Sequence, residues 1–244
     1  LIYYFKTMRK NILIFTATYN EAENIKSYLN KIDELNLDAD VLIVDDNSPD
    51  QTWKIIQEYT KIKNNIHLII RKKKEGLDTA HKIAFEYSIT NNYQYLITMD
   101  ADLTHDPKKI LEMLHELKTN PFVICSRYTK GGSTDITGFR LFISYFGTKF
   151  MKFIFNMNCD EFSCAFRGYS LNELGDFNLK DISSGGYSFF MEMTYHLHNK
   201  GIFIKEIPFF AKQRSVGKSK ISNVEIFRTL FNIFRLKLKK TFNF

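Results

Sequence analysis

The chain has 244 residues, 44% of them hydrophobic and 25% charged, the composition of one compact globular domain rather than of a disordered or fibrous chain. Its formal charge of +7 is unevenly spread: residues 201–244 hold ten basic and two acidic side chains, a local +8, which leaves −1 over residues 1–200. A near-neutral body with a basic end calls for a local anionic partner and speaks against a nucleic-acid-binding protein, for which no RRM, KH or helix-turn-helix signature is present either. Cys125, Cys159 and Cys164 lack C-x-x-C spacing, so neither a disulfide framework nor a structural zinc site is expected, and a cytoplasmic setting suits them. No secretory signal is expected from the first ten residues, and no apolar run reaches the ~18–20 residues that span a bilayer.

The first 130 residues alternate between short apolar runs and helical patterns. Residues 11–20 (NILIFTATYN), 41–46 (VLIVDD), 66–70 (IHLII), 95–100 (YLITMD) and 122–126 (FVICS) read as five strands. Ser48-Pro49-Asp50 reads as an N-cap with Pro at the first helical position, and Asp106-Pro107 opens another helix in the same way. Apolar strands alternating with helices predict an α/β fold with a mostly parallel central sheet and helices on both faces. Ligands of such sheets bind beyond the carboxyl ends of the strands. The polar clusters Thr18–Glu21, Asp45–Ser48 and Asp100–Asp102 fall at three of those ends.

Beyond residue 130 the rhythm changes. A Gly-rich turn (130–133) precedes a helical stretch over 139–156, a loop over 181–187, a short strand over 202–207 and a final helix. The predicted organisation is a domain over 1–225, in which the 139–156 helix is a candidate membrane-interface element, followed by an amphipathic helix over 226–244. In that last helix Ile226, Phe227, Leu230, Phe231, Ile233, Phe234 and Leu238 fall in one arc, opposite Arg228, Asn232, Arg235 and Lys239. Aromatic bulk facing Lys and Arg describes a helix lying in a membrane interface, and packing on the domain or on a second subunit is the alternative.

Asp100-Ala101-Asp102 is the sharpest local signal. Two carboxylates flanking one small residue in an extended turn can face one cation, and their hard oxygens suit Mg²⁺ or Mn²⁺ with substrate phosphates completing the shell. Asp45-Asp46 offers carboxylates to the ring N–H of a uracil or guanine, with Ser48 free to cap the next helix. Tyr19 and Glu21 border the same crevice. Arg140, Ser144 and Thr148, four residues apart, form a polar stripe on a helix rich in Phe, Ile and Leu, which suits an anionic lipid head. An ordinary amphipathic surface helix fits the same stripe equally well. His105 is expected to be an exposed loop histidine, His196 and His198 a poor metal pair, and Arg71–Lys74 a solvated strand end.

Taken in order, TYNE (18–21), VDDNSPDQT (44–52), GLDTA (76–80), MDADLTHDP (99–107), SRY (126–128), GGYSFFME (185–192) and RSVGKSK (214–220) resemble the family-2 glycosyltransferases, most closely the dolichol-phosphate (polyprenyl-phosphate) mannose synthases. The resemblance spans roughly residues 12–225. It implies a GT-A (Rossmann-like) fold and an inverting, metal-dependent transfer of a sugar from a nucleotide-sugar, with GDP-mannose favoured, to a polyprenyl phosphate at the cytoplasmic face of a membrane. It implies that Ala17, Tyr19, Glu21, Val44 and Asp46 line the nucleotide. Asp100 and Ala101 would contact its ribose and diphosphate, and Asp102 would hold the metal, with Asp100 as a possible second ligand. Arg127, Arg214 and Lys220 would hold phosphates, and Arg140 and Ser144 the lipid phosphate. Asp100, Asp102 and Arg127 form the implied catalytic set. A UDP-sugar donor, or transfer onto a cell-surface glycan or lipid-linked oligosaccharide, is the alternative within the class. The sequence departs from the family pattern at Ala17, where Pro is usual, at Thr104, where Gln or Ser is usual, and at Glu161 and Cys164, which stand where Asp and Gly are usual.

Overall fold

A computed structural model describes residues 11–186 and 188–213 together with Asn232 and Arg235, and of Phe139 and Arg140 the backbone alone. The first half is strand–helix alternation: β1 (Ile12–Thr18), α1 (Ala22–Asp33), β2 (Ala39–Asp45), α2 (Thr52–Ile62), β3 (Ile66–Ile70), α3 (Leu77–Thr90), β4 (Tyr95–Thr98), α4 (Lys109–Glu116) and β5 (Phe122–Ser126). The second half adds β6 (Ser133–Thr134), α5 (Gly138–Phe155), β7 (Arg167–Ser170), α6 (Ser188–Asn199), β8 (Ile204–Pro208) and β9 (Phe210–Ala211). The α/β architecture with a mostly parallel sheet is therefore the observed one.

Seven strands form one sheet in the order β3-β2-β1-β4-β7-β5-β8, and β6 pairs with β9 in a separate two-stranded ribbon. The run of buried residues in β2 (Val41, Leu42, Ile43 and Val44, none more than 3% exposed) shows why the strand is continuously apolar: helices cover both faces. In α1 the spacing Ile25, Tyr28, Leu29, Ile32 is one helical face, and all four side chains are buried against the sheet. Strand order reverses direction at β1, with β2 and β3 on one side and β4 on the other. Such a reversal opens a crevice beyond the strands' carboxyl ends.

Two features differ from the sequence-based expectation. The strand β7 runs antiparallel between β4 and β5. Its sequence, Arg-Gly-Tyr-Ser, has neither an apolar run nor clean alternation, and it is held by Arg167, a fully buried side chain. Arg167 donates to the carbonyls of Cys164 (2.6 Å), Phe162 (2.7 Å) and Phe190 (3.2 Å) and to the Thr194 hydroxyl (3.1 Å). Second, α2 begins at Thr52 rather than just after Ser48-Pro49. Asp50 Oδ1 accepts the Thr52 N–H at 3.0 Å, while Gln51, at φ 64°, makes the turn into the helix.

Candidate active site

The loops after β1 and β2 are stitched by Asp45. Its carboxylate accepts from the Thr18 hydroxyl (2.6 Å), the Ser48 N–H (2.8 Å) and the Ser48 hydroxyl (2.7 Å). The Ser48 oxygen in turn accepts the Asn20 N–H at 3.1 Å. Of the two adjacent aspartates, Asp45 is thus a structural brace, contrary to the expectation that Ser48 capping leaves both carboxylates open. Glu21 is buried beside this brace, with its N–H on the Thr52 hydroxyl (3.0 Å) and its carboxylate accepting from Asn24 Nδ2 (2.7 Å).

Asp46 occupies the crevice wall. It forms an ion pair with Arg71, and both side chains are nearly fully buried. Arg71 is fixed by further bonds to the Gly76 carbonyl (2.9 Å) and to the Thr79 hydroxyl. The strand-end arginine is therefore a wall residue rather than a solvated one, because the loop 72–76 folds back over it. Sequence reasoning missed it; the available signal was an arginine directly after an apolar strand and opposite an acidic strand end. Nearby, the Lys74 ammonium lies 4.2 Å from the centre of the Tyr19 ring, a cation–π contact at the crevice rim. Val44 is fully buried in β2 and Ala17 is half-buried at the end of β1.

Across the reversal point, Asp100-Ala101-Asp102 follows β4. Asp100 is half-buried, while Ala101 and Asp102 are buried. Asp102 Oδ1 accepts from the Thr104 N–H (3.1 Å) and hydroxyl (2.7 Å), so Thr104 orients the carboxylate. Leu103 sits at φ 60°, a left-handed conformation that is costly for a branched side chain. His105, expected to be exposed, is buried: its Nδ1 accepts the Asp100 N–H (3.2 Å) and its ring stacks on Phe166. Burial pushes its pKa down to about 4, with Arg127 assisting and Asp102 opposing, so the ring is neutral and braces the turn. No cluster of three or more metal-ligating side chains occurs among the described residues. The residues present fit an octahedral ion that takes one or two carboxylates and fills its shell with water and phosphate oxygens.

The third wall comes from β5. Arg127 pairs side-on with the fully buried Glu161 and also reaches the Ser163 hydroxyl at 3.3 Å. Tyr128 donates its hydroxyl to Ser144 Oγ at 2.7 Å, which ties this loop to α5. The turn that follows requires its glycine: a Cβ at Gly132 would lie 2.4 Å from the Ser126 carbonyl oxygen. Of the polar stripe on α5, Ser144 is half-buried and Thr148 buried, while Arg140 is placed by its backbone in the first turn. Arg214 and Lys220 lie outside the described residues, as does the 226–244 helix apart from two side chains. Those two face the domain: Asn232 donates to Ser188 Oγ (2.8 Å) and Arg235 to Ser183 Oγ (2.7 Å), the latter beside Glu192. Among the described residues no helix is long and apolar enough to cross a membrane.

The Asp46–Arg71 pair, the Asp100–Asp102 turn and Arg127 thus follow the carboxyl ends of the strands, the edge at which α/β sheets bind ligands. A family model described as glycosyl transferase family 2 matches residues 13–175. The chain is 30% identical over 225 residues to an undecaprenyl-phosphate mannosyltransferase of Micrococcus luteus, covering 92% of this chain and 93% of that protein. It is 28% identical over 224 residues to a polyprenol monophosphomannose synthase of Mycolicibacterium smegmatis, covering 91% and 84%. A solved mannosyltransferase from Pyrobaculum calidifontis, in complex with GDP-mannose and Mn²⁺, superposes with a TM-score of 0.62 at 17% identity, covering 96% of this chain and 65% of that one. The fold is therefore GT-A, and with a family model matching well over half its length the chain belongs to glycosyltransferase family 2 and is an enzyme that resembles the polyprenyl-phosphate mannosyltransferases.

Proposed function

We propose that the enzyme transfers a sugar, mannose from GDP-mannose in the first instance, to a polyprenyl phosphate with inversion at the anomeric carbon. One observation carries this reading: Asp46, Arg71, the Asp100–Asp102 turn and Arg127 follow the carboxyl ends of four strands, β2 to β5, of one sheet, with Asp46 and Arg71 paired. An arginine–carboxylate pair offers a donor and an acceptor side by side, which matches the N–H and carbonyl edge of guanine or uracil. The mannose-specific names of the relatives support the GDP-mannose choice.

The acceptor is a phosphate monoester, already anionic near neutral pH, so its oxygen attacks the anomeric carbon without a general base. A carbon–oxygen bond to the acceptor phosphate forms as the bond to the nucleoside diphosphate breaks, and the electron pair leaves with the diphosphate. Asp102, with Asp100, would hold a divalent Mg²⁺ or Mn²⁺, which offsets charge growing on the departing diphosphate. Two phosphates must approach despite their repulsion, and Arg127 supplies the fixed cation between them.

The acceptor places the enzyme at a membrane surface. The exposed side chains Phe142, Tyr145, Phe146, Phe150 and Phe153 recur at helical spacing on α5 and form one aromatic face, on the side of the helix opposite Ser144, which turns to Tyr128 of the domain. Peripheral attachment through this face suits a lipid-borne phosphate. The test is a panel of radiolabelled nucleotide-sugars assayed with Mn²⁺ and either undecaprenyl or dolichyl phosphate. Label from GDP-mannose in the lipid phase is the expected result. Transfer from a UDP-sugar alone would replace the donor, and no lipid-phase label from any donor would overturn the reading.

A further inference from the structure

Glu161 is a carboxylate with no solvent exposure, and its partners come from two directions. From its own loop, Oε1 accepts the Ser163 N–H (3.0 Å), the Ser163 hydroxyl (3.0 Å) and the Cys164 N–H (3.1 Å). The loop is immobilised in turn by Arg167, which is wholly buried and holds the carbonyls of Phe162 and Cys164. From β5, Arg127 donates through Nε to Oε2 (2.8 Å) and through Nη2 to Oε1 (3.3 Å), the side-on geometry of a guanidinium pair. Burial alone would raise the Glu161 carboxyl, but Arg127 and the Ser163 bonds outweigh it and hold the group ionised.

This arrangement fixes more than charge. A side chain with several rotatable bonds is pinned at two of its three guanidinium nitrogens, and the Tyr128 ring lies 5.3 Å from its central carbon. Nη1 is the Arg127 nitrogen that makes no hydrogen bond among the described residues. The adjacent Tyr128 hydroxyl meets Ser144 of α5, so the same strand end that carries Arg127 is docked to the aromatic helix. The carboxylate, the arginine and the lipid-side helix form one connected unit.

We propose that Glu161 is the positioning residue of the acceptor site: by gripping Arg127 side-on, it presents Nη1 to the phosphate of the polyprenyl acceptor. The inference rests on the transfer reaction proposed above. A lysine would carry the same charge but could not be held through two nitrogens, so the proposal separates orientation from electrostatics.

Steady-state kinetics with varied acceptor and with varied donor test it. Glu161→Gln is expected to raise KM for polyprenyl phosphate by about tenfold, with donor KM within about twofold. Glu161→Asp, which restores the charge, recovers most of that loss. In an Arg127→Ala background, Glu161→Gln adds nothing to the acceptor KM, because it acts through the arginine. An unchanged acceptor KM in a folded Glu161→Gln protein, or additive effects in the double variant, would overturn the inference. Should Glu161→Gln not fold, Arg127→Lys decides: an acceptor KM as poor as that of Arg127→Ala supports positioning, and one near wild type refutes it. A wild-type enzyme without lipid transfer removes the reaction and the inference together, whereas wild-type transfer with indifferent variants removes the inference alone.

Discussion

Arg71 and Asp46 face each other with almost no solvent, so deleting one partner strands the other as a desolvated charge. Arg71→Ala is expected to cost roughly 3–5 kcal/mol in urea unfolding, far more than an exposed pair would. Pairing it with Asp46→Asn should return part of that stability without returning nucleotide affinity, which separates the pair's structural cost from its proposed role at the base. Asp102 permits a cleaner substitution. Asp102→Asn keeps an oxygen for the Thr104 N–H and hydroxyl and so preserves the turn. Turnover should fall at least about 100-fold with the unfolding midpoint little changed; retained activity would take the carboxylate out of the chemistry. A third residue governs pH behaviour. His81 is fully buried among Phe15, Phe189 and Phe190, its Nδ1 without a hydrogen-bond partner among the described residues, and burial depresses its pKa to about 3. A histidine depressed in the folded state contributes stability above its unfolded pKa near 6.5, and that stability is lost as pH falls from there toward 3. Between pH 6.5 and 4.5 the loss is about 2–3 kcal/mol by proton linkage. His81→Phe should reduce the slope of this limb, measured by denaturant unfolding, and leave the part that His105, likewise depressed by burial, contributes over the same range.

At the scale of elements, α5 concentrates apolar exposure. Phe153 is 85% exposed and Phe142 and Phe146 are each 54% exposed, an arrangement that an ordinary surface helix does not need. Replacing Phe146, Phe150 and Phe153 by Ser removes a face whose burial contributes roughly 1.5–3 kcal/mol per aromatic at most. Recovery on sedimented phosphatidylcholine vesicles should drop at least about tenfold, with thermal stability unaffected because none of the three supports the core; equal recovery would show that α5 is not the contact. The elements also differ in how far their sequence discloses them. Strands β1 to β5 are legible because each is an apolar run between turn signals, and the parallel sheet follows from their alternation with helices. β7 is opaque: Arg167-Gly-Tyr-Ser becomes a strand only through pairing with two strands distant in the chain, and through Arg167 finding four partners that no local pattern displays. The α2 start is hidden for a related reason, since Ser48 is drawn to Asp45 and Asn20 rather than to the helix. At the site, the acidic turn is visible as Asp100-Ala101-Asp102, whereas Arg71 and His105 look like solvated loop residues until the fold closes over them. Sequence periodicity reports a side chain's own element, and these two are buried by other ones.

For the molecule as a whole, charge and apolar surface are distributed on different parts of the chain. Residues 1–200 sum to −1 and residues 201–244 to +8, while the exposed aromatics cluster on α5. A uniformly basic protein would bind any polyanion; a near-neutral body with a basic end confines such attraction to one part of the chain, as the proposed membrane acceptor would require. Asn232 and Arg235 of the terminal segment are engaged with Ser188, Ser183 and Glu192, so part of its polar complement is directed at the domain and unavailable to headgroups. The electrostatic part of membrane binding should then come from the remaining basic residues, each contributing about 1 kcal/mol near an anionic surface at low salt. Two components with different physics give separable signatures. Binding to vesicles containing phosphatidylserine should exceed binding to neutral vesicles at low ionic strength and converge on it as salt is raised, because exposed charges more than about a Debye length apart are screened while apolar contact is not. The Phe146, Phe150 and Phe153 serine variant should lose the salt-resistant fraction and keep the salt-sensitive one. Loss of both fractions together would mean that charge and aromatic face act as one surface, and equal binding to neutral and anionic vesicles would assign the basic end to the nucleotide-sugar's phosphates alone.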